Sequence, residues 1–208
     1  MIKLRNSGTE YIFTKIIDNE PLNMKLIDAI NDGNNDENLE KYRNDIGGGH
    51  MKGTQPIDLC HHESYDEMAS IVESFAIECS HEYNKNAIGN HEGRLNSQSY
   101  FNTHIANTKC YLMWGVKYKS GDYTKPHNHW PSTWTFTYYI DPPANASELF
   151  FPDLNYEMSI EHGLLVLIKG DVVHGVKRKK FEGDRYCVAG LVSTNILDIQ
   201  GYLTLPKK

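Results

Sequence analysis

Six short runs between Cys110 and Ser193, each rich in β-branched and aromatic residues and each closed by turn residues, decide the fold class of this chain. They are Cys110 to Tyr118, Trp134 to Ile140, Leu149 to Phe151, Gly163 to Lys169, Val172 to Lys177 and Arg185 to Ser193. Between them fall Ser120-Gly121-Asp122, Asp141-Pro142-Pro143, Pro152-Asp153, Gly170-Asp171 and Gly183-Asp184, residues that favour tight turns.

The amino-terminal half reads differently. Thr9 to Ile17 has the composition of a first strand. Pro21 then opens a segment with Leu22, Leu26, Ala29 and Ile30 at helical spacing, and Gly33 supplies a stop. Asn34 to His62 is polar and Gly-rich around Gly47-Gly48-Gly49, as expected of a long loop or insertion. Ser64 and Glu67 form a capping box ahead of Met68, Ile71, Val72, Phe75 and Cys79, which share one face of a helix ending near His81. Tyr83 to Asn102 is again polar and turn-like. Helices first and many short strands afterwards predict a mainly β protein, a double-sheet jelly roll with the helices packed outside it. At 208 residues a single domain is expected, with residues 1–105 giving the first strand, helices and long loops and residues 106–208 the β core.

Composition narrows the function. No apolar run approaches the roughly 20 residues of a membrane helix, and the amino terminus lacks the charge and apolar order of an export signal. Cys60, Cys79, Cys110 and Cys187 are widely spaced with no C-x-x-C pair, which fits reduced thiols in a cytoplasm. A formal charge of -6 argues against a broad nucleic-acid face, and the Lys177-Arg178-Lys179-Lys180 run reads as a solvated hairpin tip.

The chemistry is carried by histidines. His127 and His129 flank Asn128, and residues i and i+2 of a strand share a face, so two imidazoles can reach one ion while Asn128 points away. His174 alternates with Val172 and Val176 in an apolar strand, where an imidazole needs a partner, and it would close a facial set of ligands. Three protein ligands leave coordination sites open, as a catalytic metal requires. Arg185 shares a face with Cys187 and Ala189 and is expected to point inward, where a guanidinium calls for an anion. Trp130, Trp134 and the Asn34 to His62 segment are candidates for lining the mouth of the barrel, each tryptophan fitting plain packing at least as well. Cys60-His61-His62 and His50 are weaker ligand candidates, better read as loop residues.

From Tyr118 to Ala189 the chain runs YKSGDYTKPHNHW, then TFTYYIDPP, LFFP and HGVKRKKFEGDRY. This order resembles the double-stranded β-helix core of Fe(II)/2-oxoglutarate-dependent oxygenases, in particular the small prolyl-hydroxylase-like members encoded by tailed phages. The family pattern is H-x-D/E, a distal His, and an Arg or Lys about ten residues later. The resemblance implies a cupin-like double-stranded β-helix in which His127 and His174 bind Fe(II) and Arg185 grips the far carboxylate of 2-oxoglutarate. Tyr139 resembles a tyrosine that donates to the same carboxylate and Tyr118 matches a cosubstrate-pocket tyrosine; both fit core aromatics equally well, and for Tyr118 the core reading is the better one. The implied activity is a dioxygenase, a hydroxylase in kind, that couples decarboxylation of 2-oxoglutarate to succinate with oxidation of a small molecule or peptide. A phage-encoded protein of this type would work in the infected bacterial cytoplasm.

The chain departs from the pattern at His129, which occupies the carboxylate position. His129 can be a third iron ligand, stand aside and leave a site open, or mark a site decayed into a binding pocket; its i+2 placement favours the first. Two other functions stay open: a three-histidine cupin-like dioxygenase that does not use 2-oxoglutarate, and a non-enzymatic jelly-roll binding or virion-associated protein.

Overall fold

Successive side chains of a strand point to opposite faces, so a strand that is apolar at every position must be covered on both sides. Leu164-Leu165-Val166-Leu167-Ile168 is such a run, and every one of these residues is buried. The computed structural model, which describes residues 4–6, 9–35, 51–52, 57–88, 105 and 107–194, shows what covers them. The strands are β1 (Leu4–Asn6), β2 (Thr9–Ile16), β3 (Met51–Lys52), β4 (Ile57–Asp58), β5 (Lys109–Tyr118) and β6 (Tyr123–His127), followed by β7 (Trp134–Tyr139), β8 (Leu149–Phe151), β9 (Tyr156–Met158), β10 (Leu164–Lys169), β11 (His174–Val176) and β12 (Arg185–Ser193). The helices are α1 (Glu20–Asn35) and α2 (Tyr65–Ile88). One antiparallel sheet runs β1-β2-β10-β7-β12-β5-β4 and the other β3-β6-β11-β8-β9. Strands from before residue 105 therefore join both sheets.

The two faces of the larger sheet build two separate cores. On the outer face Phe13, Met113, Phe136, Tyr138, Leu165, Leu167 and Val188 pack with Leu22, Leu26 and Ile30 of α1 and with Met68, Val72 and Phe75 of α2. On the inner face Trp114, Val116, Tyr118, Tyr139, Val166, Ile168 and Cys187 meet Leu149, Phe151, Met158 and Val176 of the smaller sheet. This is the predicted jelly roll with external helices. Each fully buried aliphatic or aromatic side chain contributes about 1.5–3 kcal/mol.

Several local expectations need correction. Asn19, through its Oδ1, accepts from the Leu22 amide at 3.2 Å and caps α1, and the helix continues through Gly33 to Asn35. Helix α2 runs to Ile88, so Tyr83 to Ile88 is helical and not turn-like; once its buried turns are set, each further residue adds one backbone bond. Ser64 Oγ meets His62 Nδ1 at 2.7 Å and Glu67 accepts from Asn19 Nδ2 at 2.8 Å, so these side chains bind elsewhere than in a capping box. Val172 N donates to Lys169 O in a turn, which shortens the expected Val172 to Lys177 strand to His174–Val176. Strands β1, β3, β4 and β9 lie where none was expected, β3 and β4 within the Asn34 to His62 segment, and the strand assumed at His127 and His129 is β6, which ends at His127. Most of that segment, including His50, lies outside the described residues.

The four cysteines are free thiols. Among the described residues no helix is long and apolar enough to cross a membrane. In the basic run, Lys177 pairs with Glu157, Lys179 Nζ lies 2.7 Å from Glu148, and Arg178 covers the Tyr123 ring.

Candidate metal centre and its cavity

Antiparallel pairing of β6 with β11 sets His174 directly opposite His127. The two rings face each other with centroids 4.7 Å apart, and His129 joins them at 4.8 Å from His127 and 5.3 Å from His174. One ligand nitrogen of each ring lies within 4.8 Å of the others, a group that can hold a metal ion. The backbone already fixes the ring orientations. Nδ1 of His127 bonds the Lys125 carbonyl at 2.8 Å and Nδ1 of His174 the Val172 carbonyl at 3.0 Å. With Nδ1–H donated to a carbonyl, the Nε2 lone pair is the one left for a metal. Burial, and then the neighbouring imidazoles, lower the pKa of His129 to about 3 and of His174 to about 4, so both rings are neutral donors at neutral pH.

His129 arrives by a route other than the expected one. Strand β6 ends at His127, so His127 and His129 do not share a strand face; His129 lies in the following loop. That loop is held to the β10–β11 turn: His129 N donates to Gly170 O at 2.7 Å, Ser132 N to His129 O at 2.9 Å, and Gly170 N to Thr133 O at 3.1 Å. A Cβ at Gly170 would collide with the Ser132 carbonyl oxygen and come within 3.4 Å of the His129 carbonyl. Backbone cannot yield there as a side-chain tip can. Gly170→Ala is therefore expected to push the loop outward and cost about 2 kcal/mol of stability by overpacking. Metal affinity should fall about 10-fold, the lower end of what second-sphere changes cost; Co(II) titration read beside a denaturant melt checks both effects.

The three histidines open onto a cavity of about 210 Å³ between the sheets, several times the ~30 Å³ that one water occupies in the liquid. Arg185 also lines it. It pairs with Tyr118 across β5 and lies one non-adjacent step from Tyr139, which faces Cys187 on β7. Its guanidinium carbon stands 4.5 Å from the Tyr118 ring centre and 5.1 Å from that of Tyr139. Arg185 is 1% exposed, yet none of Nε, the two Nη atoms and the Tyr139 hydroxyl makes an aligned hydrogen bond among the described residues, although guanidinium and phenol lie close enough to interact electrostatically. Tyr118 differs: its hydroxyl is 2.6 Å from Thr124 Oγ1. Burial raises the pKa of both tyrosines, so they remain protonated and neutral.

All six residues singled out from the sequence, His127, His129, His174, Arg185, Tyr139 and Tyr118, thus line one cavity. Trp134 does not. It is buried in the outer core, its Nε1 donating to Ser80 Oγ at 2.8 Å, because it falls on the opposite face of β7 from Tyr139. Trp130 is 67% exposed and lies outside the cavity lining. Trp114, which sequence reasoning passed over, lines the cavity with its ring 5.9 Å from that of His129. Its alternation with Val116 and Tyr118 was the available signal.

No protein-family model matches this sequence, and no match was found among curated proteins. Solved structures do match. The viral collagen prolyl hydroxylase of Paramecium bursaria Chlorella virus-1, solved as its 2OG complex, aligns over 88% of this chain and 95% of its own with a TM-score of 0.58 and 14% identity. A prolyl hydroxylase from Trichoplax adhaerens, in complex with a peptide fragment of the hypoxia inducible factor oxygen degradation domain, aligns over 96% and 89% with a TM-score of 0.54 and 12% identity. At such identities what is shared is the fold, and the fold of this chain is the double-stranded β-helix of these hydroxylases.

Proposed function

We propose that this protein is an iron(II)- and 2-oxoglutarate-dependent oxygenase, a hydroxylase in kind. The observation that carries the reading is Arg185, a fully buried guanidinium none of whose nitrogens makes an aligned hydrogen bond among the described residues, lining one cavity together with three imidazoles. An unpaired buried cation costs several kcal/mol, and a carboxylate met edge-on by the planar fork offsets that cost. A linear dicarboxylate that reaches from Arg185 to the histidines satisfies both ends. Imidazole nitrogens suit iron among other first-row metals, and three of them leave coordination sites open.

In this reading His127 and His174 would hold the iron through Nε2 and His129 through a ring nitrogen. Arg185 and the Tyr139 hydroxyl donate to the far carboxylate of 2-oxoglutarate, while the Tyr118 ring covers one face of the guanidinium and keeps water from it. Bound iron and keto acid supply the oxidising chemistry, in which dioxygen is consumed, 2-oxoglutarate becomes succinate and carbon dioxide, and a substrate C–H bond is oxidised. The substrate is a peptide or small molecule in preference to a nucleic acid: both neighbours are prolyl hydroxylases, one was solved with a peptide, and this chain is acidic.

His129 is the feature that favours a second reading, a three-histidine dioxygenase in which substrate binds the metal directly. Arg185 argues against it, since that reaction gives a buried guanidinium nothing to do. Anaerobic addition of Fe(II) and then 2-oxoglutarate to the apoprotein is expected to raise a visible metal-to-ligand charge-transfer band. Metal binding with no band at any keto-acid concentration would sink the proposal.

A further inference from the structure

Among the described residues the cavity contains no acid. Its lining there includes Arg185 and three histidines, and no aspartate or glutamate. A divalent metal bound there by neutral imidazoles keeps its whole charge, inside the same low-dielectric chamber as a guanidinium that is itself unpaired. Two uncompensated cations in one buried cavity oppose each other, and burial strengthens the opposition. A carboxylate at position 129 would have given the metal a standing countercharge. His129 gives none, while its ring sits squarely in the donor group.

We propose that the keto acid supplies the negative charge the donor set lacks, so that metal and dicarboxylate are retained as a mutually dependent pair and the protein holds its metal tightly only while the dicarboxylate is present. This rests on the functional reading above and adds a regulatory property to it. Metal and Arg185 bring three positive charges, a dicarboxylate brings two negative ones, and each cation receives one carboxylate. Remove the dicarboxylate, and the metal is left among neutral donors near an unpaired guanidinium. Linkage makes the dependence reciprocal, so metal must tighten keto-acid binding by the factor by which keto acid tightens metal. Part of that factor comes from chelation and would exist with any donor set. The part owed to charge is what His129 contributes, and it disappears when residue 129 carries its own carboxylate.

The test uses Co(II), a coloured and redox-quiet stand-in for iron, titrated into the full-length protein with and without saturating 2-oxoglutarate, for the native chain and for His129→Asp. His129→Glu serves as a second variant with longer reach. The native protein is expected to bind Co(II) about 100-fold more tightly with the keto acid, near the upper end of ordinary coupling between sites. In the carboxylate variants Co(II) should bind more tightly than native when no keto acid is present, and the gain on adding it should shrink to about 10-fold or less. Equal gains in native and variant proteins, with 2-oxoglutarate bound in both, overturn the proposal and leave the functional reading standing. If calorimetry finds no 2-oxoglutarate binding to the metal-loaded native protein, the functional reading falls and this proposal with it.

Discussion

Arg185→Met should make the protein more stable and blind to 2-oxoglutarate. In the ligand-free protein the guanidinium is buried, charged and without an aligned hydrogen bond among the described residues, which is an unfavourable state for such a group. Methionine reaches about as far as Nε, follows the aliphatic part of the same path toward Tyr118 and Tyr139, and needs no partner. Replacing a buried charged group with a well-packed apolar one is commonly neutral or stabilising by about 1–4 kcal/mol. Binding should move the other way. A desolvated, charge-assisted contact is worth about 2–5 kcal/mol on truncation, so keto-acid affinity should fall at least about 30-fold. Calorimetry on the metal-loaded variant and a denaturant melt on its apo form give the two numbers. A variant that is both less stable and still binds keto acid would mean that Arg185 is a structural residue.

His174→Ala should erase metal binding with little damage to the fold. His174 is 5% exposed, faces His127 across the β6–β11 ladder and has its tautomer set by the Val172 carbonyl. Loss of second-sphere partners alone costs about 10- to 100-fold in metal affinity, and loss of a direct donor should cost more, about 1,000-fold. Thermal melts report this through mass action. Metal at 100 times the native Kd stabilises by about 2.7 kcal/mol, and after a 1,000-fold loss the same concentration stabilises by about 0.1 kcal/mol or less. The metal-induced rise in Tm should therefore vanish. A variant that keeps the rise would place the metal elsewhere.

Which parts of this molecule could be read from its sequence follows from how local each feature is. Strands β5, β7, β8, β10 and β12 were legible because long apolar or aromatic runs bounded by turn residues have few other solutions. Strand β6 was not legible from composition, although it carries His127. Its sequence is Tyr-Thr-Lys-Pro-His, with Lys125 and Pro126 exposed. Among the described residues β3 pairs with Tyr123 and Thr124, and neither pairing calls on an amide at Pro126. Two-residue strands such as β3 and β4 exist only through the backbone of their neighbours, and nothing in their own composition announces them. The site was legible through residue types and order, but the loop geometry that delivers His129 depends on contacts with Gly170, forty-one positions along the chain. Trp134 was misplaced by one step of parity: it and Tyr139 lie on the same strand and on opposite faces.

That parity has an effect on how such a protein can diversify. Arg185, Cys187 and Ala189 of β12 look into the cavity, while Val188 and Val192 lock the sheet to the helices. Moving one residue along the strand exchanges a position that shapes ligand choice for one that holds the scaffold together. Inner positions that line the cavity can change ligand choice only within what the second core's packing allows, while the outer register holds the sheet to the helices, so chemistry and scaffold are tuned on alternate residues of one strand.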